Sequence, residues 1–283
     1  MRFDSEAAVS RPAQAARVSW IDRLYRIPSA LLRDPLGAVV EKELRFLSRA
    51  PRFRLIFLMG FSFGLLIWLP IAFGPAGGAG SAIGSNYLTL VSAYALLLLG
   101  EVTFWNSFGF DRAAAQLYFL CPVPIRVVLA GKNLAAALFV TLEVTLVAAA
   151  CGVVGMPLSW NGLAEAYAVA LVLSLLMLAV GNLGSVRYAR PVEPRHSWRT
   201  TSAARFQGML LLVYPVLAFP VALAFLARYA FQSQAAFYGV LAFDAALGAV
   251  LYWVALDSAV ATIIERREAF LAALTANQGP VAT

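Results

Sequence analysis

Residues 133–156 read NLAAALFVTLEVTLVAAACGVVGM, a run of 24 residues with one charged side chain, Glu143. A helix rises 1.5 Å per residue, so about 20 apolar residues cross the roughly 30 Å hydrocarbon core of a bilayer. This run is therefore predicted to form a membrane-spanning helix.

Five further apolar runs accompany it. The six predicted spans are residues 55–73, 88–110, 133–156, 164–184, 209–226 and 235–256. If the N-terminus is cytosolic, all of the 22 Lys and Arg residues except Arg228 lie in cytosolic segments. Such a bias sets the orientation of membrane proteins. We therefore expect an all-α, polytopic, six-span protein with both termini cytosolic, in a plasma membrane or a bacterial inner membrane.

The composition leaves no room for a soluble catalytic domain. The 283 residues are 61% hydrophobic and 13% charged, with a mean hydropathy of +0.76, whereas soluble domains carry about 25% charged residues. We predict one membrane domain, residues 35–260, between a loosely ordered cytosolic segment 1–34 and a cytosolic tail 261–283. The net charge of +7 fits membrane lipids as partners, since anionic headgroups attract basic flanks, and not nucleic acid.

Residues 36–50, LGAVVEKELRFLSRA, are predicted to form an amphipathic helix. Its apolar stripe contains Val39, Val40, Leu44 and Leu47, and only Glu43 interrupts it. Such a helix is expected to lie in the cytosolic headgroup plane with its apolar face toward the lipid.

The first span contains a Gly-xxx-Gly pattern, Gly60-Phe-Ser-Phe-Gly64. Small residues at this spacing let two helices approach closely, although glycines are also common in spans by chance. The pattern predicts a close helix contact at this point of the first span.

Motifs for chemistry are lacking. Gly131-Lys132-Asn133 supplies only the Gly-Lys of a nucleotide-binding loop, without the preceding glycine or the hydroxyl residue. The one histidine, His196, lies in a basic loop, and the two cysteines, Cys121 and Cys151, are predicted on the cytosolic side and inside a span. We therefore predict no catalytic residue, metal or cofactor, and no enzyme activity.

Three acidic residues fall deep in predicted spans, at Glu101, Glu143 and Asp244. Ionisable groups at such depth are costly and often mark transport pathways or proton relays. The alternative is that each is protonated or bonded to a neighbouring helix. The sequence leaves both readings open, and the second is favoured for all three, least so for Glu143.

A resemblance appears after the second span. The segments 106–112 (NSFGFDR), 117–126 (LYFLCPVPIR) and 129–134 (LAGKNL) resemble permease subunits of type-2 ATP-binding-cassette (ABC) transporters. Residues 41–52 (EKELRFLSRAPR) are similar to the connecting helix of such permeases. Arg112 stands where these permeases often carry glycine.

The resemblance implies a permease of an exporter, driven by a separate ABC ATPase subunit and paired with a second permease half as a homo- or heterodimer. The loop after the second span would be a short cytosolic coupling helix that rests on the ATPase. Independently of the resemblance, the Asp111 side chain can cap a short helix over residues 112–120. The contact with the ATPase would be formed or framed by Asp111, Arg112, Pro122, Pro124 and Arg126. Gly131, Lys132 and Asn133 would anchor the return into the membrane.

Two other functions remain open from the residues alone. A secondary transporter would couple an ion or proton through Glu101, Glu143 or Asp244. A membrane assembly or scaffold protein would transport nothing.

Overall fold

The computed structural model describes residues 20–73, 86–155, 158–192 and 204–275. These residues form helices and turns, without a β-strand among them, which confirms the predicted all-α class. The α-helices are α1 (Trp20–Leu31), α2 (Leu36–Arg49), α3 (Pro51–Phe73), α4 (Tyr87–Thr103), α5 (Leu117–Leu120), α6 (Ile125–Val153), α7 (Trp160–Arg187), α8 (Ala204–Phe231), α9 (Gln234–Glu265) and α10 (Arg267–Thr275). A 3₁₀-helix, Arg112–Gln116, precedes α5. His196 and the segments 1–19 and 276–283 lie outside the described residues.

Six long helices, α3, α4 and α6 to α9, correspond to the six apolar runs. Within the described residues, four stretches are long and apolar enough to cross a membrane: Ile125–Val153, Trp160–Arg187, Leu212–Phe231 and Gln234–Glu265. Tyr87–Gly100 is a shorter apolar helix, and α3 is 23 residues long. The chain is thus a helical protein with at least four candidate membrane-spanning helices.

Successive long helices run in opposite directions. The starts of α4, α7 and α9 meet the end of α8 through Asn86, Glu165, Gln234 and Arg228. At the other side of the bundle, the start of α6 and the last residues of α4 lie beside α2. We call the end with α1, α2 and residues 104–124 the charged end, and the end with Arg228 the opposite end.

The second predicted span, 88–110, is too long by seven residues. Helix α4 stops at Thr103, and residues 104–111 fold into turns. The apolar signal continues because Phe104, Trp105, Phe108 and Phe110 are aromatic, but their side chains are buried inside the protein. Hydropathy alone cannot separate burial in protein from burial in lipid.

The N-terminal segment also differs from the prediction. Residues 20–31 of the segment expected to be loosely ordered form helix α1, which packs against α2. The prediction failed because this short helix has little overall hydrophobicity, although its apolar residues recur at helical spacing.

Helix α2 forms where predicted, but its orientation differs from the expected one. Its stripe residues Val40 and Leu47 are buried, and Val39 packs against Gly131 of α6. Glu43, the residue that interrupts the stripe, has its charge satisfied by Lys132 of α6. The stripe therefore faces the protein, and not the lipid as we expected, because a buried partner for Glu43 lies on that side.

The close contact predicted at Gly60 and Gly64 is present. A Cβ atom added to Gly60 would lie 2.5 Å from Glu143 Oε1 and 3.3 Å from the carbonyl oxygen of Ala95 in α4. A Cβ atom on Gly64 would lie 3.1 Å from Val91 of α4. The two glycines thus let α3 approach α4 closely.

Candidate functional site

Five side chains from three separate parts of the chain meet at the charged end. We call them the charge cluster: Lys42 and Glu43 of α2, Asp111 and Tyr118 of the α4–α6 connection (residues 104–124), and Lys132 of α6. Two ammonium groups balance two carboxylates, so the cluster is electrically neutral.

Lys132 is at the centre of the cluster. Its Nζ atom lies 2.8 Å from Glu43 Oε1 and 2.5 Å from Asp111 Oδ2, and its side chain is only 4% exposed. The same ammonium group lies 5.3 Å from the centre of the Phe108 ring. Lys132 therefore ties the α4–α6 connection and α2 to α6 through one buried charge.

Lys42 joins the same acids from the more exposed side. Its Nζ atom donates to Glu43 Oε1 at 2.7 Å, to Asp111 Oδ1 at 2.9 Å and to the Tyr118 hydroxyl at 2.6 Å. Tyr118 in turn donates to Asp111 Oδ1 at 3.0 Å. Asp111 is thus held by two cations and one hydroxyl.

The pKa values of the cluster follow from burial and from these partners. Burial alone would raise the pKa of Asp111, but the adjacent ammonium groups of Lys132 and Lys42 hold it below its ordinary value. Burial raises the pKa of Tyr118 to about 12, and the two carboxylates add to that effect against the opposing lysines. Asp111 therefore stays ionised and Tyr118 stays protonated near neutral pH.

Asp111 does not play the part that the sequence suggested. It makes no capping hydrogen bond to the 3₁₀-helix that follows it, and it is 8% exposed. Gly131, Lys132 and Asn133 are buried as well, and Asn133 donates to the Tyr252 hydroxyl at 3.3 Å. The Asp111 carboxylate therefore faces the interior of the protein, where it binds Lys132 and Lys42 at the base of the connection.

The exposed face of the α4–α6 connection is formed by other residues. Pro122 and Pro124 are exposed, as is Arg126 at the start of α6, and Leu117 and Leu120 of α5 add exposed apolar side chains to this face. The 3₁₀-helix and α5 replace the single helix predicted over residues 112–120. Sequence reasoning missed both leucines, since leucine is abundant throughout the chain.

Helix α10 covers the inner side of this connection. The Phe270 ring meets the Phe108 ring edge-on at 5.2 Å, and the Arg267 guanidinium lies 4.6 Å from the Phe119 ring centre. Phe108 and Ala115 of the connection share a buried cluster with Ala259 of α9. Arg126, at the start of α6, also pairs with Asp257 of α9 at 3.2 Å. The connection is therefore packed between α6, α9 and α10, with one face left to solvent.

Asn106 and Gly109 fix a second contact of the connection. Asn106 Nδ2 donates to the Arg190 carbonyl oxygen at 2.9 Å, and the Val192 amide donates to the Gly109 carbonyl oxygen at 2.8 Å. The segment after α7 is thereby bound to the turn after α4.

Two of the three acidic residues predicted deep in spans have described side chains, Glu143 and Asp244. Glu143 of α6 is 1% exposed beside Gly60, and neither of its carboxyl oxygens has a hydrogen-bond partner among the described residues. Asp244 of α9 is also buried. Glu101 belongs to α4, but its side chain lies outside the described part of the structure.

A polar network at the opposite end was not foreseen. Arg228 pairs with Glu165 at 2.7 Å and donates to Asn86, which itself donates to the Tyr229 hydroxyl at 2.8 Å. Its guanidinium lies 4.8 Å from the ring centres of both Phe225 and Phe237. A cavity of about 390 Å³ adjoins it. One sequence signal for this network exists: among the Lys and Arg residues, only Arg228 falls outside the predicted cytosolic segments.

The chain matches no known family model, no curated protein and no solved structure.

Proposed function

We propose that this chain is the membrane-spanning permease subunit of an ABC exporter in a plasma membrane. Six spans with both termini cytosolic would form half of the substrate pathway, and a second permease half would complete it. A separate ABC ATPase subunit would drive it. The observation that carries the proposal is a short, partly exposed connection whose inner side is fixed to two helices by a buried, neutral charge cluster.

The cluster gives the connection the mechanical property that coupling requires. Removing one partner of a buried ion pair costs about 3–5 kcal/mol, because the other charge stays buried without compensation. A push on the exposed face is therefore expected to move α2 and α6 with the connection, because separating Asp111 from Lys132 would leave buried charge without its full compensation. A flexible loop would absorb the same push.

Two local features agree with the resemblance. Arg112 has a φ of 51°, in the left-handed region that favours glycine, and it stands where such permeases often carry glycine. Pro122 and Pro124 stiffen the exit from α5 to α6, since proline fixes its own φ and restricts the residue before it. The backbone at this point is thus constrained on both sides of α5.

The exposed leucines provide the test. Leu117→Asp/Leu120→Asp places two charges on the face proposed to contact the ATPase, without touching the charge cluster. We expect the variant to insert and fold normally but to lose co-purification with the ATPase and to lose export. Arg266→Asp, an exposed change at the same end, is the matched control.

The partner is identified by crosslinking. A photo-crosslinking amino acid at Leu120 is expected to give an adduct with a protein that contains a nucleotide-binding Walker A loop. The same amino acid at Trp160, which is exposed at the opposite end, should not. If the leucine pair variant exports normally and position 120 gives no such adduct, the proposal fails.

Glu143 favours a second candidate, a proton- or ion-coupled secondary transporter. A buried carboxyl group without a partner among the described residues is the arrangement expected of a site that exchanges a proton. In proteoliposomes without any ATPase, this function predicts transport driven by a pH gradient that is lost in Glu143→Gln. The ABC permease predicts no such transport.

A further inference from the structure

Helix α1 carries an apolar stripe that no other described part of the chain covers. Trp20, Leu24, Ile27 and Leu31 recur at intervals of four, three and four residues, which places them in one row along the helix. They are largely exposed, Trp20 by 70% and Leu31 by 79%. Four large apolar side chains in one exposed row predict a partner surface.

The other face of α1 is already fastened to α2. The Tyr25 hydroxyl donates to Ser48 Oγ at 2.7 Å, and Arg45 pairs with Asp22 at 3.0 Å. Ser29 donates to Glu41. These bonds fix the rotation of α1 about its own axis, so the row of apolar residues points away from α2.

Basic residues flank the row on its other side. Arg23 and Arg26 of α1 are exposed, and so is Arg33, which follows the helix next to the exposed Asp34. At 100° per residue, Arg23 lies about 70° from the centre of the apolar row, whereas Arg26 lies about 130° from it, toward the α2 contact. The exposed surface of α1 is thus apolar along one line and positively charged beside it.

The position of α1 brings this surface to the edge of the apolar bundle. Only residues 32–35 separate α1 from α2, and only Ala50 separates α2 from α3. Amphipathic helices with arginines beside an apolar face lie in the headgroup plane of a bilayer, and tryptophan favours that depth.

We infer that α1 is an interfacial membrane helix that binds anionic phospholipid. Trp20, Leu24, Ile27 and Leu31 enter the acyl boundary, and Arg23 and Arg33 meet the lipid phosphates. Because α1 is bonded to α2, and α2 to the charge cluster, the lipid contact holds the N-terminal part of the charged end against the bilayer. This inference requires a membrane protein but does not depend on an ATPase partner.

Two spin-labelled variants test it in the full chain, with Cys121→Ser to remove the exposed thiol and with Cys151 left buried. Leu24→Cys reports on the apolar row, and Arg26→Cys is the matched position two residues away. Each is reconstituted as one copy per lipid nanodisc. Accessibility is measured to oxygen, which dissolves in lipid, and to a water-soluble nickel complex.

We expect the label at position 24 to collide several-fold more often with oxygen than with nickel, and the label at position 26 to show the reverse. Nanodiscs that contain phosphatidylglycerol should strengthen this contrast over phosphatidylcholine alone, because each arginine near an anionic surface favours docking by about five-fold. Arg23→Gln/Arg33→Gln, added to the Leu24→Cys variant, should reduce that dependence on lipid charge.

Equal access of nickel to positions 24 and 26 in both lipids would overturn the inference. Protection of position 24 that appears only with a second copy in the disc, or only with an added partner protein, would overturn it in favour of a protein interface. Neither result would touch the proposed ATPase coupling, which the leucine pair on α5 tests separately.

Discussion

Lys132→Met is the most direct perturbation of the charge cluster. The change keeps most of the side-chain volume but leaves Glu43 and Asp111, both nearly buried, with Lys42 as their remaining cation in the cluster. The cluster would then carry one uncompensated negative charge. Breaking a buried ion pair in this way costs about 3–5 kcal/mol. We expect the free energy of unfolding to fall by that amount.

The chain contains its own reporter for this measurement. Cys151 is buried in α6 and Cys121 is exposed, so in a Cys121→Ser background a maleimide reacts only when α6 is uncovered. Short maleimide pulses along an SDS titration in mixed micelles give the fraction unfolded at each step. Arg266→Met, an exposed cation at the same end, is the control, with an expected change within about 0.5 kcal/mol.

A double variant separates charge balance from packing. Lys132→Met/Asp111→Asn returns the cluster to neutrality, with Lys42 and Glu43 as the remaining pair. We expect it to lose less stability than the sum of the two single changes, by about 1–3 kcal/mol. If the single losses add, or if Lys132→Met costs no more than Arg266→Met, the cluster does not bind the three parts together.

Three further predictions concern other parts of the molecule. The pKa of Asp111 is lower in the folded than in the unfolded state, so the ionised carboxylate stabilises the fold above about pH 3.9, and this stabilisation is lost as the pH falls below that value. In Asp111→Asn, the free energy of unfolding should therefore decrease less steeply with falling pH than in the unchanged protein. Gly60→Ala should lower the free energy of unfolding by about 1–3 kcal/mol, because the added Cβ atom would meet Glu143 and the α4 backbone. Gly239→Ala is the control and should be near neutral, since its Cβ atom would meet nothing within 4 Å. Equal losses for the two variants in the same unfolding assay would contradict the close contact. Arg228→Gln should cost about 1.5–3 kcal/mol by leaving its buried carboxylate partner without a cation, and a thermal unfolding midpoint equal to that of the unchanged protein would refute this.

The long helices could be predicted from hydropathy, but their ends could not. Helix α6 begins at Ile125, eight residues before the predicted span, and α9 continues past Asp257 to Glu265. A hydropathy pattern stops at the first charged residue, whereas a helix continues wherever that charge finds a partner. Lys132 is such a residue, since its charge is neutralised inside the protein.

The charge cluster could be predicted only in part. The resemblance implies roles for Lys132 in the return into the membrane and for Asp111 at the ATPase contact, but no link between the two residues. Glu43 and Lys132 are 89 positions apart, and no local pattern indicates a pairing over that distance. Glu43 itself was visible only as an interruption of an apolar stripe. An acid in an otherwise apolar stripe is a usable signal for a buried cation elsewhere.

The packing of α10 against Phe108 has a consequence for how the protein is made. Ribosomes release residues 267–275 after all six long helices, so the turn around Phe108 stays uncovered until that late moment of synthesis. Phe270 and Leu274 then bury the inner side of the α4–α6 connection. A chain terminated before residue 267 would still enter the membrane, but the apolar side chains of the turn around Phe108 would be exposed and incompletely packed. Chaperones and proteases recognise such surfaces, so α10 protects this turn once residues 267–275 have been synthesised and packed.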